Sequence, residues 1–123
     1  MADYRVLLVD DEEEFVASMA KKLEARGVTV EFTTDPKQSL QMMKDKPFDV
    51  VVLDRRMPEI SGEDLFYTMH DRWPQAQIIM LTGYGSVRQA FDFAKQGIFC
   101  YLGKPCTAEK LHEAIEDAIK NRK

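Results

Sequence analysis

The chain has 123 residues, with 17 Lys or Arg against 21 Asp or Glu, and therefore a formal net charge of −4 and a pI near 5.2. This length fits one domain, and a composition of 45% hydrophobic and 31% charged residues excludes disordered and collagen-like proteins. The longest aliphatic runs, such as 6–9 and 50–53, have four residues, far short of the roughly 20 that cross a bilayer. Acidic residues at 10–14 follow the first run at once, so no secretory leader is predicted. We therefore expect a cytoplasmic protein that does not associate with membranes.

The remaining composition argues against several site types. Cys100 and Cys106 are predicted to be reduced thiols, because two cysteines provide neither a disulfide framework nor a four-ligand zinc site. No cationic stripe is present, which argues against nucleic acid as a direct partner. His70 and His112 fall in predicted helices away from the strand ends and are interpreted as surface residues rather than ligands.

One pattern recurs five times along the chain: a short apolar run, a polar exit and a stretch of helical period. The first run leads to a helix predicted over about residues 12–26, with Gly27 as its C-terminal stop. The second run, 28–32, alternates apolar and polar residues and predicts an edge strand with one solvated face. Continuous apolar runs predict strands buried on both faces at 6–9, 50–53 and 78–81.

The helical stretches have start motifs. N-capping residues precede four of them, at Asp35, Ser61, Ser86 and Thr107. Apolar residues follow one side of the fourth and fifth helical stretches, so each is expected to pack one face on a sheet. Regular alternation of strands and helices predicts right-handed βαβ units, and hence an α/β fold with helices on both faces of a parallel sheet.

Polar residues follow four of the five predicted strands. Asp10 and Asp11 follow the first, Asp54 the third, Thr82 the fourth and Lys104 the fifth. An open parallel sheet binds ligands at the carboxyl ends of its strands, so these groups are expected at one edge. Each residue alone is more simply explained as a helix cap or a solvated strand end. Together they favour metal and phosphate chemistry.

Three carboxylates at one sheet edge repel one another, by about 4 kcal/mol for each pair at 4 Å and an effective dielectric near 20. Such a cluster binds a cation or protons. Oxygen-only ligation by few side chains suits Mg²⁺ better than Ca²⁺, and the chain has no EF-hand spacing. The pattern therefore predicts a magnesium site.

Asp54 is the central candidate for a nucleophile toward a phosphoryl group, because phosphoryl transfer depends on positioning and charge neutralisation. Lys104 and the Thr82 hydroxyl are candidates to bind the transferred oxygens. A phosphatase would need a second acid near Asp54 to activate water, but Arg55 and Arg56 follow it. Phosphorylation without efficient turnover indicates signalling rather than an enzyme.

The sequence resembles the receiver domain of two-component response regulators over about residues 5–121. Asp10-Asp11 is similar to the acidic pair after the first strand, and Asp54 with Met57-Pro58 and Gly62 is similar to the phosphoacceptor motif. The remaining motifs of the family match at Leu81-Thr82-Gly83 and Lys104-Pro105.

The resemblance implies a flavodoxin-like three-layer (βα)5 fold, with a five-stranded parallel sheet of order 2-1-3-4-5. It implies that Asp54 accepts a phosphoryl group from a sensor histidine kinase or a phosphotransfer protein. The implied Mg²⁺ ligands are Asp11, Asp54 and the main-chain carbonyl of Arg56, with Asp10 acting mainly through water.

Further roles follow from the same resemblance. Thr82 and Lys104 would bind phosphoryl oxygens, and Tyr101 would turn inward when Thr82 moves. The Lys104–Pro105 peptide would be cis. Arg56 and Tyr84 occupy variable positions that tune the lifetime of the phosphoryl group, and their size predicts slowed hydrolysis.

Phosphorylation is expected to switch a surface made by the fourth helix, fifth strand and fifth helix. A homodimer through this face, or a bound target, is expected to complete the switch. We interpret residues 1–123 as a single receiver domain without an output domain, so that the target lies on another polypeptide or on a missing segment. The alternatives are an interaction module of the same fold that works without phosphorylation and, less favoured, an aspartate-based phosphatase.

Overall fold

A computed structural model describes residues 4–57, 59–83 and 97–121 of the chain. Within these ranges five strands alternate with helices, and the α/β prediction is confirmed. None of the helices in these ranges is long and apolar enough to cross a bilayer. The predicted fourth helix, with its cap at Ser86, lies outside the described residues.

The strands are β1 (Arg5–Val9), β2 (Thr29–Thr33), β3 (Val50–Asp54), β4 (Gln77–Thr82) and β5 (Cys100–Gly103). The helices are α1 (Glu13–Ala25), α2 (Pro36–Asp45), α3 (Gly62–Arg72) and the C-terminal helix (Ala108–Lys120).

All five strands are parallel, in the predicted order β2-β1-β3-β4-β5. The edge position predicted for β2 is confirmed. Its predicted alternation holds only in part, because Phe32 is 41% exposed whereas Thr33 is buried. Phe32 pairs with Leu8 on one side only, since β2 ends the sheet. The Thr33 hydroxyl is satisfied by the Gln38 side chain at 2.6 Å, which permits its burial.

The sheet separates two apolar clusters. Side chains alternate along each strand, so Val50 and Val52 face one cluster while Val51 and Leu53 face the other. The first cluster, which we call the α1 layer, contains the buried faces of α1 and the C-terminal helix. The second, the α3 layer, contains those of α2 and α3. The central strands are buried on both faces as predicted.

The predicted caps at Asp35, Ser61 and Thr107 are confirmed, since each side chain accepts a backbone N–H from the first turn of its helix. Helix α1 differs, because its N-cap residue Glu12 makes no such bond. Gly27 ends α1 as predicted, with a φ of 90° that a side chain would disfavour.

Candidate functional site

The carboxyl ends of four strands meet at one edge of the sheet. Pairing continues past the strand ends, where the N–H of Asp10 donates to the Thr33 carbonyl at 3.2 Å and that of Lys104 donates to the Thr82 carbonyl at 2.8 Å. Between them, Asp54 lies opposite Leu81 in the pairing of β3 with β4. The parallel register therefore brings together Asp10, Asp54, Thr82 and Lys104, as predicted from the strand exits.

Asp54 is a buried carboxylate at the end of β3. Its pKa is raised to about 6, mainly by burial and then by the neighbouring charge of Asp10, while Lys104 opposes the shift. A contact with the Asp11 carboxyl also raises the pKa of Asp54. The N–H of Arg56 donates to Asp54 Oδ1 over a long 3.4 Å. Asp54 thus combines an elevated pKa with an adjacent cation, a pattern typical of functional sites.

Lys104 provides that cation. Its Nζ lies 2.6 Å from Glu12 Oε1, 2.8 Å from Asp10 Oδ2 and 3.5 Å from Asp54 Oδ2. The ammonium also lies 4.7 Å from the centre of the Phe15 ring, within the range of a cation–π contact. Burial works to lower the pKa of Lys104, but the hydrogen bonds to Asp10 and Glu12 outweigh it and raise the pKa above its usual value. Lys104 is therefore charged at neutral pH.

Three carboxylates at the site can present oxygens to one cation. Oxygen atoms of Asp10, Glu12 and Asp54 lie within 4.8 Å of one another. Burial raises the pKa of Asp10, and its Oδ2 is buried with no hydrogen bond of good geometry besides the ion pair with Lys104. An oxygen-only donor set with a buried acceptor fits a hard divalent cation such as Mg²⁺.

The acidic group differs from the predicted one by a single member. Glu12 was not predicted as a site residue, although it directly follows the acidic pair in the sequence. Asp11, which was predicted, is exposed, but its carboxyl contacts that of Asp54. Both side chains therefore border the site. The carboxyl groups of Asp10, Asp11 and Asp54 come together as the sequence predicts.

Gly62 closes the loop that follows Asp54. Its N–H donates to the Arg55 carbonyl at 2.9 Å. A Cβ at this position would lie 2.5 Å from the Asp54 carbonyl oxygen and 2.9 Å from Met80 Sδ. Only glycine permits this approach. The loop is also fixed by an ion pair between Arg55 Nε and Glu63 Oε1 at 3.2 Å.

Thr82 ends β4, the strand next to β3, and Tyr101 lies in the edge strand β5. The Thr82 hydroxyl donates to the adjacent Gly83 carbonyl at 3.2 Å. Tyr101 is half-buried and packs on the α3 layer, where burial, followed by the charge of Glu63, raises its pKa to about 12. The predicted cis peptide between Lys104 and Pro105 is confirmed.

The remaining predictions concern Arg56, Tyr84 and the two histidines. The Arg56 side chain is exposed, and Tyr84 lies outside the described residues. His70 was predicted to be a surface residue, but its ring is half-buried and stacks on Phe66 at a centroid distance of 5.3 Å. His112 is likewise half-buried and accepts a hydrogen bond from Arg26 Nε at 2.8 Å.

The two cysteines form no disulfide, as predicted, and both are half-buried. Burial raises the pKa of the Cys100 thiol to about 11 and also raises that of Cys106. Neither thiol is therefore a reactive thiolate at neutral pH.

A flavodoxin-like sheet with an acidic group, a hydroxyl and a lysine at its carboxyl edge defines a receiver domain. The chain belongs to the response regulator receiver domain family, whose sequence pattern matches residues 6–116. It is 33% identical over 114 residues to the photosynthetic apparatus regulatory protein RegA of Cereibacter sphaeroides, covering 93% of this chain and 62% of that protein. It is 30% identical to the response regulator protein PilR of Pseudomonas aeruginosa, covering 99% of this chain and 27% of PilR. The chain thus spans less than two thirds of these relatives.

Solved structures agree with this assignment. A receiver domain from Clostridium thermocellum superposes with a TM-score of 0.88 at 33% identity, covering 95% of this chain and 94% of that one. FixJ-N superposes with a TM-score of 0.87 at 34% identity, covering 98% and 97%. The beryllofluoride-activated NtrC4 receiver domain dimer has a TM-score of 0.87 at 32% identity, covering 94% and 96%.

Proposed function

We propose that Asp54 is the phosphoacceptor of this receiver domain. The observation that supports this role is a buried carboxylate held 3.5 Å from a lysine ammonium at the carboxyl end of the central strand β3. The donor is a phosphohistidine of a sensor histidine kinase or a phosphotransfer protein, and the cytoplasm is the compartment that we propose for this exchange. An Asp54 carboxylate oxygen forms a bond to phosphorus as the N–P bond breaks. The donor histidine leaves as an imidazole, and Asp54 becomes an acyl phosphate.

Asp11, Asp54 and the main-chain carbonyl of Arg56 would hold Mg²⁺, with Asp10 acting through water. When bound, Mg²⁺ would neutralise charge on the transferring phosphoryl group. The pairing of Lys104 with Asp10 and Asp54 supports this assignment, because it indicates that the carboxylates already bind positive charge. The adjacent Glu12 carboxylate adds to the negative potential at the rim of the site.

Lys104 and Thr82 are proposed to bind the phosphoryl oxygens. The Lys104 ammonium lies near enough to Asp54 to contact an oxygen attached there after a small displacement. The present bond of the Thr82 hydroxyl, to a neighbouring carbonyl at 3.2 Å, is weak enough to be exchanged for a charged acceptor. Both groups would therefore make contacts that exist only in the phosphorylated state.

These differential contacts are proposed to shift a two-state equilibrium. Thr82 pairs with Gly103 of β5, the strand that contains Tyr101, so a displacement of Thr82 is transmitted to Tyr101. The output surface is the predicted fourth helix, which lies outside the described residues, together with β5 and the C-terminal helix. A shift from 1:99 to 99:1 needs about 5.5 kcal/mol, so dimerisation or target binding is proposed to supply part of it.

We assign a single receiver domain to residues 1–123. Its output is proposed to lie on a partner protein or on another segment, and the domain is proposed to act as a signalling phosphoacceptor that promotes only its own phosphorylation and slow dephosphorylation. The NtrC4 neighbour is described as a dimer in its beryllofluoride-activated form, which supports dimerisation as the route to output. No observation favours the alternative of a phosphorylation-independent module over this function.

The test is to incubate the protein with acetyl phosphate and Mg²⁺ and to measure its intact mass. We expect one added phosphoryl group, which is lost in Asp54→Asn and in the presence of a chelator. Asp71→Asn is the matched control, since Asp71 is an exposed carboxylate in α3. Absence of the added group in the wild-type protein would contradict the phosphoacceptor role, and continuous release of phosphate would indicate a phosphatase.

A further inference from the structure

We propose that Glu12 is a positioning residue that binds Lys104 in the resting state and competes with the phosphoryl group for its ammonium. This inference rests on the proposed function of Asp54 and adds a regulatory contact to the same site. Its consequence is that Glu12 restrains phosphorylation rather than supporting it.

The contact between Glu12 and Lys104 is the shortest of the three ion pairs at the ammonium. It measures 2.6 Å, against 2.8 Å to Asp10 and 3.5 Å to Asp54. The residue on which the phosphoryl group would form is therefore the most distant of the three partners. Lys104 is held toward the start of α1 and away from Asp54.

The local structure around Glu12 favours this pairing. The Glu12 N–H donates to Asp10 Oδ1 at 2.9 Å, which fixes the backbone of Glu12 beside the site. Glu12 is the N-cap of α1, yet its side chain makes no capping bond, whereas the side chains of the other helix N-caps in the described ranges do. Its carboxylate extends to Lys104 instead. On another side of the ammonium, the face of the Phe15 ring limits where Lys104 can move.

Glu12 is also the partner that Lys104 can release most readily. The Glu12 side chain is 63% exposed, whereas those of Asp10 and Asp54 are 3% and 8% exposed. Water can replace the lysine at an exposed carboxylate, but a buried carboxylate that loses its partner keeps an uncompensated charge. Exchange of Glu12 for a phosphoryl oxygen is therefore the least costly rearrangement open to Lys104.

The first test compares Glu12→Gln with the wild-type protein in binding of beryllofluoride at saturating Mg²⁺, followed by NMR titration. We expect binding tighter by about two- to fivefold, the range for loss of one exposed ion pair. Phosphorylation by acetyl phosphate should accelerate by a similar factor. Glu12→Asp keeps the charge but shortens the side chain, and it should behave like Glu12→Gln because the contact is lost.

Two controls separate this contact from general electrostatics. Glu13→Gln removes the same charge from the adjacent, exposed position in the first turn of α1 and should leave beryllofluoride affinity unchanged. In a Lys104→Met background, Glu12→Gln should have no further effect, because the two residues act through one contact. An equal gain in Glu13→Gln, or a persistent gain without Lys104, would overturn the inference.

The failure of this inference is distinguishable from failure of the proposed function. If the wild-type protein is phosphorylated at Asp54 but Glu12→Gln binds beryllofluoride no more tightly, Glu12 is not a competitor and the phosphoacceptor role stands. If the wild-type protein takes up neither beryllofluoride nor a phosphoryl group, the proposed function itself fails.

Discussion

Gly62 and Asp54 are in such close contact that a Cβ on Gly62 would lie 2.5 Å from the Asp54 carbonyl oxygen. The contact joins the first residue of α3 to the last residue of β3. The position of the proposed phosphoacceptor therefore depends on the absence of a side chain eight residues later in the chain.

Gly62→Ala is expected to destabilise the protein by about 1–3 kcal/mol, the usual cost of overpacking, and to slow phosphorylation of Asp54 by displacing its backbone. Urea unfolding and acetyl phosphate kinetics would measure the two effects. Gly103→Ala is the matched control, because nothing lies within 4 Å of a Cβ at that position. Equal stability of both variants would contradict the steric role of Gly62.

The raised pKa of Asp54 predicts a pH-dependent stability. Its ordinary value is 3.8 and its value in the folded protein is about 6, so the folded state binds the proton more tightly than the unfolded state does. The resulting stabilisation is present below pH 3.8 and is lost as the pH rises through 6. The free energy of unfolding of Asp54→Asn relative to that of wild type should therefore rise by about 1–2 kcal/mol between pH 4.5 and 7.5. This is less than the free energy equivalent of the whole pKa shift, because solvent at the site edge screens the charge.

Urea unfolding without divalent cations at these two pH values would measure this gain. Asp71→Asn removes an exposed carboxylate of the same protein and is the control for loss of one negative charge. A gain for Asp54→Asn that does not change with pH would contradict the predicted shift.

Mg²⁺ should stabilise the folded protein, since a cation relieves the repulsion among the carboxylates at the sheet edge. At a concentration ten times the Kd, a ligand that binds only the folded state adds about 1.4 kcal/mol. Thermal unfolding with and without MgCl₂, at ionic strength balanced with KCl, would detect this increase. Asp10→Asn should lose most of it and Asp71→Asn should retain it. Equal stabilisation of Asp10→Asn and wild type would place the cation elsewhere.

Arg56 and Tyr84 are predicted to slow hydrolysis of the acyl phosphate by limiting the access of water. The Arg56 side chain is exposed and follows Asp54 by two residues, and Tyr84 follows Thr82 by two. The double variant Arg56→Ala, Tyr84→Ala should therefore have a shorter phosphoryl half-life, measured by loss of the added mass after removal of the donor. An unchanged half-life would show that neither residue controls water access.

Much of the site could be predicted from the sequence because parallel topology alone determines where strand exits meet. Asp10, Asp54 and Thr82 follow an apolar run directly, and Lys104 follows one after Gly103. Knowledge of the sheet was therefore sufficient to bring them together. Glu12 could not be predicted in the same way. Its role depends on a contact with a residue 92 positions away, and an acidic residue at a helix start is ordinarily explained by the helix dipole.

The remaining differences arise from packing that periodicity does not encode. Phe32 belongs to the apolar side of an alternating strand, but a strand with a neighbour on only one side leaves it exposed. His70 is polar and near a helix end, yet its ring stacks on Phe66 and lies against the backbone of Gly97. Both outcomes depend on the neighbouring element rather than on the local sequence.

The separation of the interior into an α1 layer and an α3 layer has a genetic consequence. Side chains on opposite faces of the sheet share few direct neighbours, and substitutions without shared partners contribute independently to stability. A compensating mutation for a packing defect at Leu65 should therefore arise among residues of the α3 layer, and one for Leu111 among those of the α1 layer.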